Sequence, residues 1–516
     1  MTETATAAVV GVIAVGCTLA VMTGTAHGAM EGSRAELART LLSASESTRA
    51  AQPGPIVEQS SPNGVSALVV TRDATLPDLA TSAPDTVAEV QPGVWEIRRT
   101  VFVAAGATLS IEAPMVRELR LLSTRDRFAS IIARSASLEF NGLPHRRLLV
   151  RSWNSPAGRP DRVLRDGRAT VALRGHGRLD AHHATFARLG FYLGTVSGFA
   201  LWAKGDAHGT GTVHDSRFVN NYNGAYSFGA RRMSWTGNRF VHNRVYGFDP
   251  HTGSSGFLVR GNYAARNGRH GIIFSHTCHR NVIRGNVSEH NSWHGIVIDD
   301  GKHGNSPSNH NVVTDNVVRA NAGVGIQIDG SAHNRVYGNR IIGSRQGVRV
   351  LGPATDNVIG RNSISGARDF GVLLQSPSRR AVLAGNRISG TPTGLRIQGS
   401  SLVSVRRNQI EHVTSHAVKV DEVAQEDVEG IVIAGNRMQG SGTSPVRIVT
   451  GNEQAVEQHG NEISWDYPLT RDIARLLQSR IGPGLWLLLF LIVLGGPLIV
   501  ASFQRLPHGR RSRAGA

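Results

Sequence analysis

The stretch "GNYAARNGRHGIIF" (residues 261–274) is followed by "GNVSEHNSWHGIVI" (residues 285–298), the same pattern 24 positions further on. The motifs "VYGFDP", "RHGIIF", "WHGIVI", "GVGIQI", "RQGVRV", "DFGVLL" and "PTGLRI" place glycines at 247, 271, 295, 325, 347, 371 and 394. Their spacings are 24, 24, 30, 22, 24 and 23. A second series interleaves with the first: asparagines 238, 262, 286, 316, 339, 362, 386 and 408. Self-similarity at a fixed period decides an architecture before any local reading does. Each repeat holds short β-rich runs such as "NVIRGN" and "GIVI", and helical periodicity is absent. Three short strands with their turns fill a repeat of this size, whereas a propeller blade takes about forty residues. The repeats therefore predict an all-β, right-handed parallel β-helix. Recurrent Asn is expected in turns of left-handed geometry, with its amides bonded from coil to coil.

Outward from this core, "GVWEIRRTVFVAAGATLSIEA" (93–113) and "GHGRLDAHHATFARLGFYLG" (175–194) read as earlier, less regular coils. We place the solenoid at 65–466 and a short helix with a linker at 30–64. Residues 1–29 read as a signal peptide or N-terminal anchor, with small residues Gly24, Ala26, Gly28 and Ala29 available for cleavage. Residues 467–483 form an amphipathic juxtamembrane pattern. Residues 484–503, "GLWLLLFLIVLGGPLIVASF", carry no charge and are long enough for a bilayer core of about 30 Å. The tail 504–516 carries Arg505, Arg510, Arg511 and Arg513, which predicts a cytoplasmic tail and a body outside, extracellular or periplasmic. Cys17 lies in the leader and Cys278 in the body, so no intrachain disulfide is expected.

Lys and Arg total 56 against 38 Asp and Glu, a net charge of +18, which calls for an acidic partner. Aromatic residues make up only 6 % of the chain, and an extracytoplasmic body argues against nucleic acid. Residues one period apart should stack at about 4.8 Å, so the repeat also predicts vertical rows. Before the glycines stand Tyr246, His270 and His294, and then Val324, Gln346, Phe370 and Thr393. If Phe248 and Pro250 face in, Asp249 and His251 face out. One and two periods after His251 come Ser275 and Asp299, with His276 and Asp300 adjacent. The 30-residue interval contains "DGKHGNSPSNHN" (300–311), which should protrude beside this face. Stacked histidines also suit zinc or copper. No C-x-x-C or H-E-x-x-H pattern accompanies them, and the sequence predicts neither metal nor cofactor.

The segments "ARLGFYLG", "SRFVNNYNGAYSF", "NRVYGFDPH", "RHGIIFS" and "WHGIVIDD" resemble, in order, those of mannuronan C5-epimerases of the periplasmic β-helix type, over roughly residues 90–330. The resemblance implies removal of the C5 proton of a polyuronate and reprotonation on the opposite ring face. It implies His251 as base, Asp249 orienting it or binding the sugar, and Tyr246 supplying a proton. His270, His294, Asp299 and Asp300 would line the subsites. The chain departs from the family at Thr252, where an acidic residue is usual, and at His276, where the periplasmic type has arginine. Arg269 or Arg280 would then neutralise the substrate carboxylate. The expected function is a membrane-anchored, extracytoplasmic epimerase acting on an acidic polysaccharide, with a polysaccharide synthase or export complex as a further partner. The alternatives are a lyase on the same scaffold, or a non-catalytic β-helix that binds polysaccharide or assists a periplasmic copper enzyme.

Overall fold

In the computed structural model, residues 56–60, 66–191, 198–301, 305–375, 377–423 and 428–467 are described. The leader, the short helix expected after residue 30, the juxtamembrane pattern, the 484–503 span and the basic tail lie outside these residues. Among the described residues no helix is long and apolar enough to cross a membrane.

One coil comprises Phe248–His251, Leu258–Arg260 and Tyr263–Ala265; the next comprises Ile272–Ser275, Val282–Arg284 and Val287–Glu289. Each strand pairs in parallel with its counterpart one coil away, which builds three long sheets. Sheet 1, which holds Phe248–His251, has 16 strands. Sheet 2 holds Leu258–Arg260 and sheet 3 holds Tyr263–Ala265. The body is thus the parallel β-helix that the repeat predicts.

The repeat residues are dictated by the space inside the coil. A Cβ at Gly247 would meet the Gly271 carbonyl oxygen at 2.4 Å, and one at Gly295 would meet Val318 at 2.4 Å. The asparagines form a buried ladder at the corner between sheets 2 and 3. The amide nitrogen of Asn238 donates to Asn262, Asn262 to Asn286 and Asn286 to Asn316, at 2.9–3.0 Å. The series runs on past Asn408 to Asn436 and Asn461. Its residues are not themselves left-handed, contrary to the sequence expectation. The left-handed position is the one before: Gly237, Gly261, Asp315 and Arg361 have φ of 65°, 65°, 55° and 53°. That turn frees the following Asn to point its amide inward along the stack.

Inside, Phe186, Phe218 and Phe240 form a column of sheet 3 at 5.0–5.3 Å, which continues with Ala264, Ser288 and Val318. Phe248 of sheet 1 packs 5.2 Å from Phe240, and its own column continues with Ile272, Ile296 and Ile326. Two features at the N-terminal side were not anticipated. Val57–Ser60 lies in the stretch read as linker but pairs antiparallel with Ser66–Val70. The helix Leu76–Ser82 buries Leu76 and Leu79 in the core. At its start the Thr75 backbone N–H donates to Asp78 at 2.8 Å.

The ladder should be measurable. In Asn286→Ala, the backbone N–H of Asn262 and the carbonyl of Val259 lose their side-chain partners. At about 1–3 kcal/mol per buried unsatisfied group, the urea midpoint should fall clearly with the slope unchanged. An unchanged midpoint would mean that the ladder contributes nothing to stability.

Candidate active site

Residues of sheet 1 alternate between core and outer face. Phe248 is fully buried in the core, while Asp249 and His251 belong to the outer face, as the alternation predicts. Two outward rows follow from the register. Trp202, Phe228, His251, Ser275 and Asp299 are successive partners. Tyr226 and Asp249 are neighbours in the parallel row, which continues past Val297 to Gln327, Arg349, Leu373, Arg396, Lys419 and Arg447. One outer face thus passes from aromatic residues through a cluster of acids and imidazoles to a run of cations.

Asp249 lies at the centre. Although outward-facing, it is only 3 % exposed, and its Oδ1 has no hydrogen-bond partner. Burial, and secondarily the charge of Asp299, pushes its carboxyl up to about 8, so it holds its proton at neutral pH. Tyr246 precedes the same strand. Its phenol is raised by burial and then by Asp249, and Arg269 Nη1 donates to its oxygen at 3.4 Å. The predicted ring row is real: Tyr246 stacks on His270 at 5.3 Å, and His270 on His294 at 4.9 Å. The Nδ1 of His270 accepts the backbone N–H of His294 at 3.3 Å, and that of His294 accepts from Val324 at 2.9 Å. With Nδ1 accepting, each neutral ring carries its proton on Nε2. Burial, followed by His294 and Arg269, holds His270 well below its usual range. Burial and then Arg349 pull His294 to about 3.

His251 closes the other end of the strand. Its Nδ1 lies 2.7 Å from Thr252 Oγ1, so the threonine hydroxyl provides a partner for the imidazole. Burial and neighbouring His276 lower His251 to about 4. The His276 ring stacks on it at 4.5 Å. His276 has φ of 61° and Thr277 of 56°, two consecutive left-handed residues that aim the imidazole into the cluster. Gly301 makes room for it, since a Cβ there would fall 2.0 Å from His276 Cε1.

Asp299 and Asp300 join the cluster, and Asp329 joins them from the next coil. Their carboxylate oxygens lie within 4.8 Å of one another, an arrangement open to a hard divalent cation. The carboxyls of Asp299 and Asp300 are both raised by burial. Asp329 is pushed up to about 7 by burial, then by Asp299 and Asp300. Asp329 stands 30 residues after Asp299, the interval of the glycine series at that coil, so its signal was present in the sequence. Arg349, which partly offsets Asp329, carried no comparable signal. Arg269 reaches the cluster, but Arg280 does not. It is an exposed, left-handed corner residue at the edge of sheet 2 beside His279, because the chain has already left sheet 1 at that point.

The site and its scaffold are those of a parallel β-helix that carries its polar cluster on one sheet. A family model for right-handed β-helix regions matches residues 308–463, and one for the periplasmic copper-binding protein NosD matches 203–357. The chain is similar to the mannuronan C5-epimerase of Pseudomonas aeruginosa, at 29 % identity over 222 residues, 40 % of this chain and 39 % of that protein. The enzyme of the same name from Pseudomonas syringae pv. tomato is 27 % identical over 222 residues. The chain thus spans about two fifths of the length of the curated relatives it matches. The crystal structure of the periplasmic alginate epimerase AlgG superposes with a TM-score of 0.56 at 18 % identity, covering 83 % of this chain and 97 % of that one. At that identity the superposition establishes the fold.

The buried acid has a consequence for stability. Its folded value of about 8 exceeds its ordinary 3.8, so its contribution is fully present below pH 3.8 and is lost as pH rises towards 8. Asp249→Asn removes that penalty and should raise the melting temperature at pH 8 relative to wild type, with a smaller difference at pH 4. A lower melting temperature at both values would show that Asp249 is a structural turn residue.

Proposed function

We propose that this protein is a polyuronate C5-epimerase whose reaction centre is the outer face of sheet 1 around Asp249. The observation that carries this reading is a buried carboxyl without a hydrogen-bond partner, set between a phenol and an imidazole on a solvent-facing sheet. Removing a proton next to a carboxylate requires that the carboxylate be neutralised as carbanion character develops. Protonated Asp249 can donate a hydrogen bond to it, a task the family gives to arginine at the position of His276. Arg269 stands beside Tyr246 to assist.

His251 is the base. In the tautomer that donates from Nδ1 to Thr252 Oγ1, the lone pair of Nε2 is left for the C5 proton. A uronate carboxylate bound nearby raises the basicity of His251, because an anion favours the imidazolium. Tyr246, at the other end of the strand, returns a proton to the opposite ring face. The Nε2–H groups of His270 and His294 serve as donors to substrate, and Asp299 and Asp300 bound the next subsite. Arg349, Arg396, Lys419 and Arg447 continue the face in the sense an acidic polymer requires. A lyase would abstract the same proton and then expel the 4-O substituent. The NosD match favours a second, non-catalytic reading as an accessory to a periplasmic copper protein. We place the body outside the cytoplasm, anchored by residues 484–503.

Polymannuronate incubated with the protein should develop guluronate anomeric signals in proton NMR. Unsaturated chain ends would indicate a lyase, and an unchanged spectrum would sink both enzymatic readings. His251→Ala should reduce turnover by about 10²–10⁴-fold with little change in melting temperature. The values of His251 and Asp249 also set a pH window. kcat/KM should fall below about 4 as His251 protonates, and above about 8 as Asp249 loses its proton. A rate still rising beyond pH 9, about one unit past the Asp249 value, would exclude a protonated Asp249 from the mechanism.

A further inference from the structure

The asparagine ladder ends at the corner between sheets 2 and 3, and another set of side chains occupies the place where it stops. Towards the N-terminus, Asn238 accepts the backbone N–H of Ser216 at 3.0 Å, and Ser216 Oγ accepts that of Ala184 at 3.2 Å. The ladder position therefore runs Asn, Ser, Ala, and at Ala184 no polar side chain remains to tie the coils. The left-handed residues preceding these positions are Gly237, Asp215 and His183, with φ of 65°, 49° and 48°. Beside them, His182 and His214 are direct register partners at the strand ends.

We propose that His183, His214 and Asp215 form a transition-metal site that clips these two coils together where the ladder gives out. One ligand atom from each lies within 4.8 Å of the others, the spacing a single ion can bridge. His214 Nδ1 is 3.1 Å from Asp215 Oδ2, and the rings of His183 and His214 are 5.6 Å apart. His183 Nδ1 is shut off from solvent and has no hydrogen-bond partner. His182 stacks on His214 at 5.1 Å and 13°, which fixes the orientation of that ring. Two imidazoles and one carboxylate match zinc, copper or nickel, and leave a position for water. Calcium and magnesium fit poorly. The set offers one carboxylate, and the guanidinium of Arg147, which donates to the Asp215 carbonyl oxygen, opposes any ion held by charge alone.

Isothermal titration of the tag-free protein with zinc chloride tests this site without reference to any activity. Wild type should bind zinc here, and the ion should raise the melting temperature by preferring the folded state. His214→Ala and Asp215→Asn should each weaken that binding by roughly tenfold or more. The double variant His251→Ala/His276→Ala, which alters the imidazole pair on sheet 1, should retain it. Absence of zinc binding in wild type would overturn the proposal, as would affinities unchanged in both corner variants or loss confined to the sheet 1 variant. Should circular dichroism show His214→Ala to be unfolded, Asp215→Asn decides, because that side chain is 52 % exposed and its loss leaves the coil packed.

Discussion

Everything at the candidate site depends on vertical register, and register is held by the amide ladder that begins at Asn238. Each asparagine satisfies a backbone N–H and a carbonyl of the preceding coil, as Asn262 does with the N–H of Asn238 and the carbonyl of Trp235. A slip by one residue would leave these buried groups without partners and turn every outward side chain inward. The glycines contribute by exclusion, since any side chain at those positions would collide with the next coil. With the stack fixed this way, residues 24 positions apart become neighbours across one strand spacing.

Stacking also explains the electrostatics. Parallel coils bring like side chains together, so His270 meets His294 and Asp299 meets Asp329, while His276, one residue past the Ser275 partner of His251, reaches His251 from a left-handed turn. Covered by neighbouring coils, the imidazoles of His251, His270 and His294 are held neutral and the carboxyls of Asp249 and Asp329 are pushed up, with burial the leading cause in each case. The outcome is a face on which His251 stays unprotonated and Asp249 keeps its proton at neutral pH. General acid–base chemistry at a carbon acid needs that combination.

Much of this was legible in the sequence because the repeat residues are forced by geometry. Over residues 238–408 close packing holds these positions to glycine and asparagine, so they recur visibly. The Tyr246, His270, His294 row and the orientation of Asp249 and His251 followed from period and alternation alone. Alternation gives direction but not cover, and the near-complete burial of Asp249 depends on residues contributed by neighbouring coils. Arg280 was misplaced because its distance along the chain does not tell which side of a corner it occupies. The Val57–Ser60 strand escaped notice because four residues in a Pro- and Ser-rich stretch carry no period. The His183 and His214 corner belongs to the irregular early coils, where no repeat exposes the register.

Epimerisation on this face requires that C5 lose its proton to one group and regain one from another. The direct measurement is the fate of H5 when polymannuronate is incubated with the protein in D2O. If His251 removes the proton and a solvent-exchanged Tyr246 supplies the new one, every guluronate residue formed should carry deuterium at C5. Guluronate that retains protium at C5, or recovered polymer with neither inversion nor exchange, would contradict it.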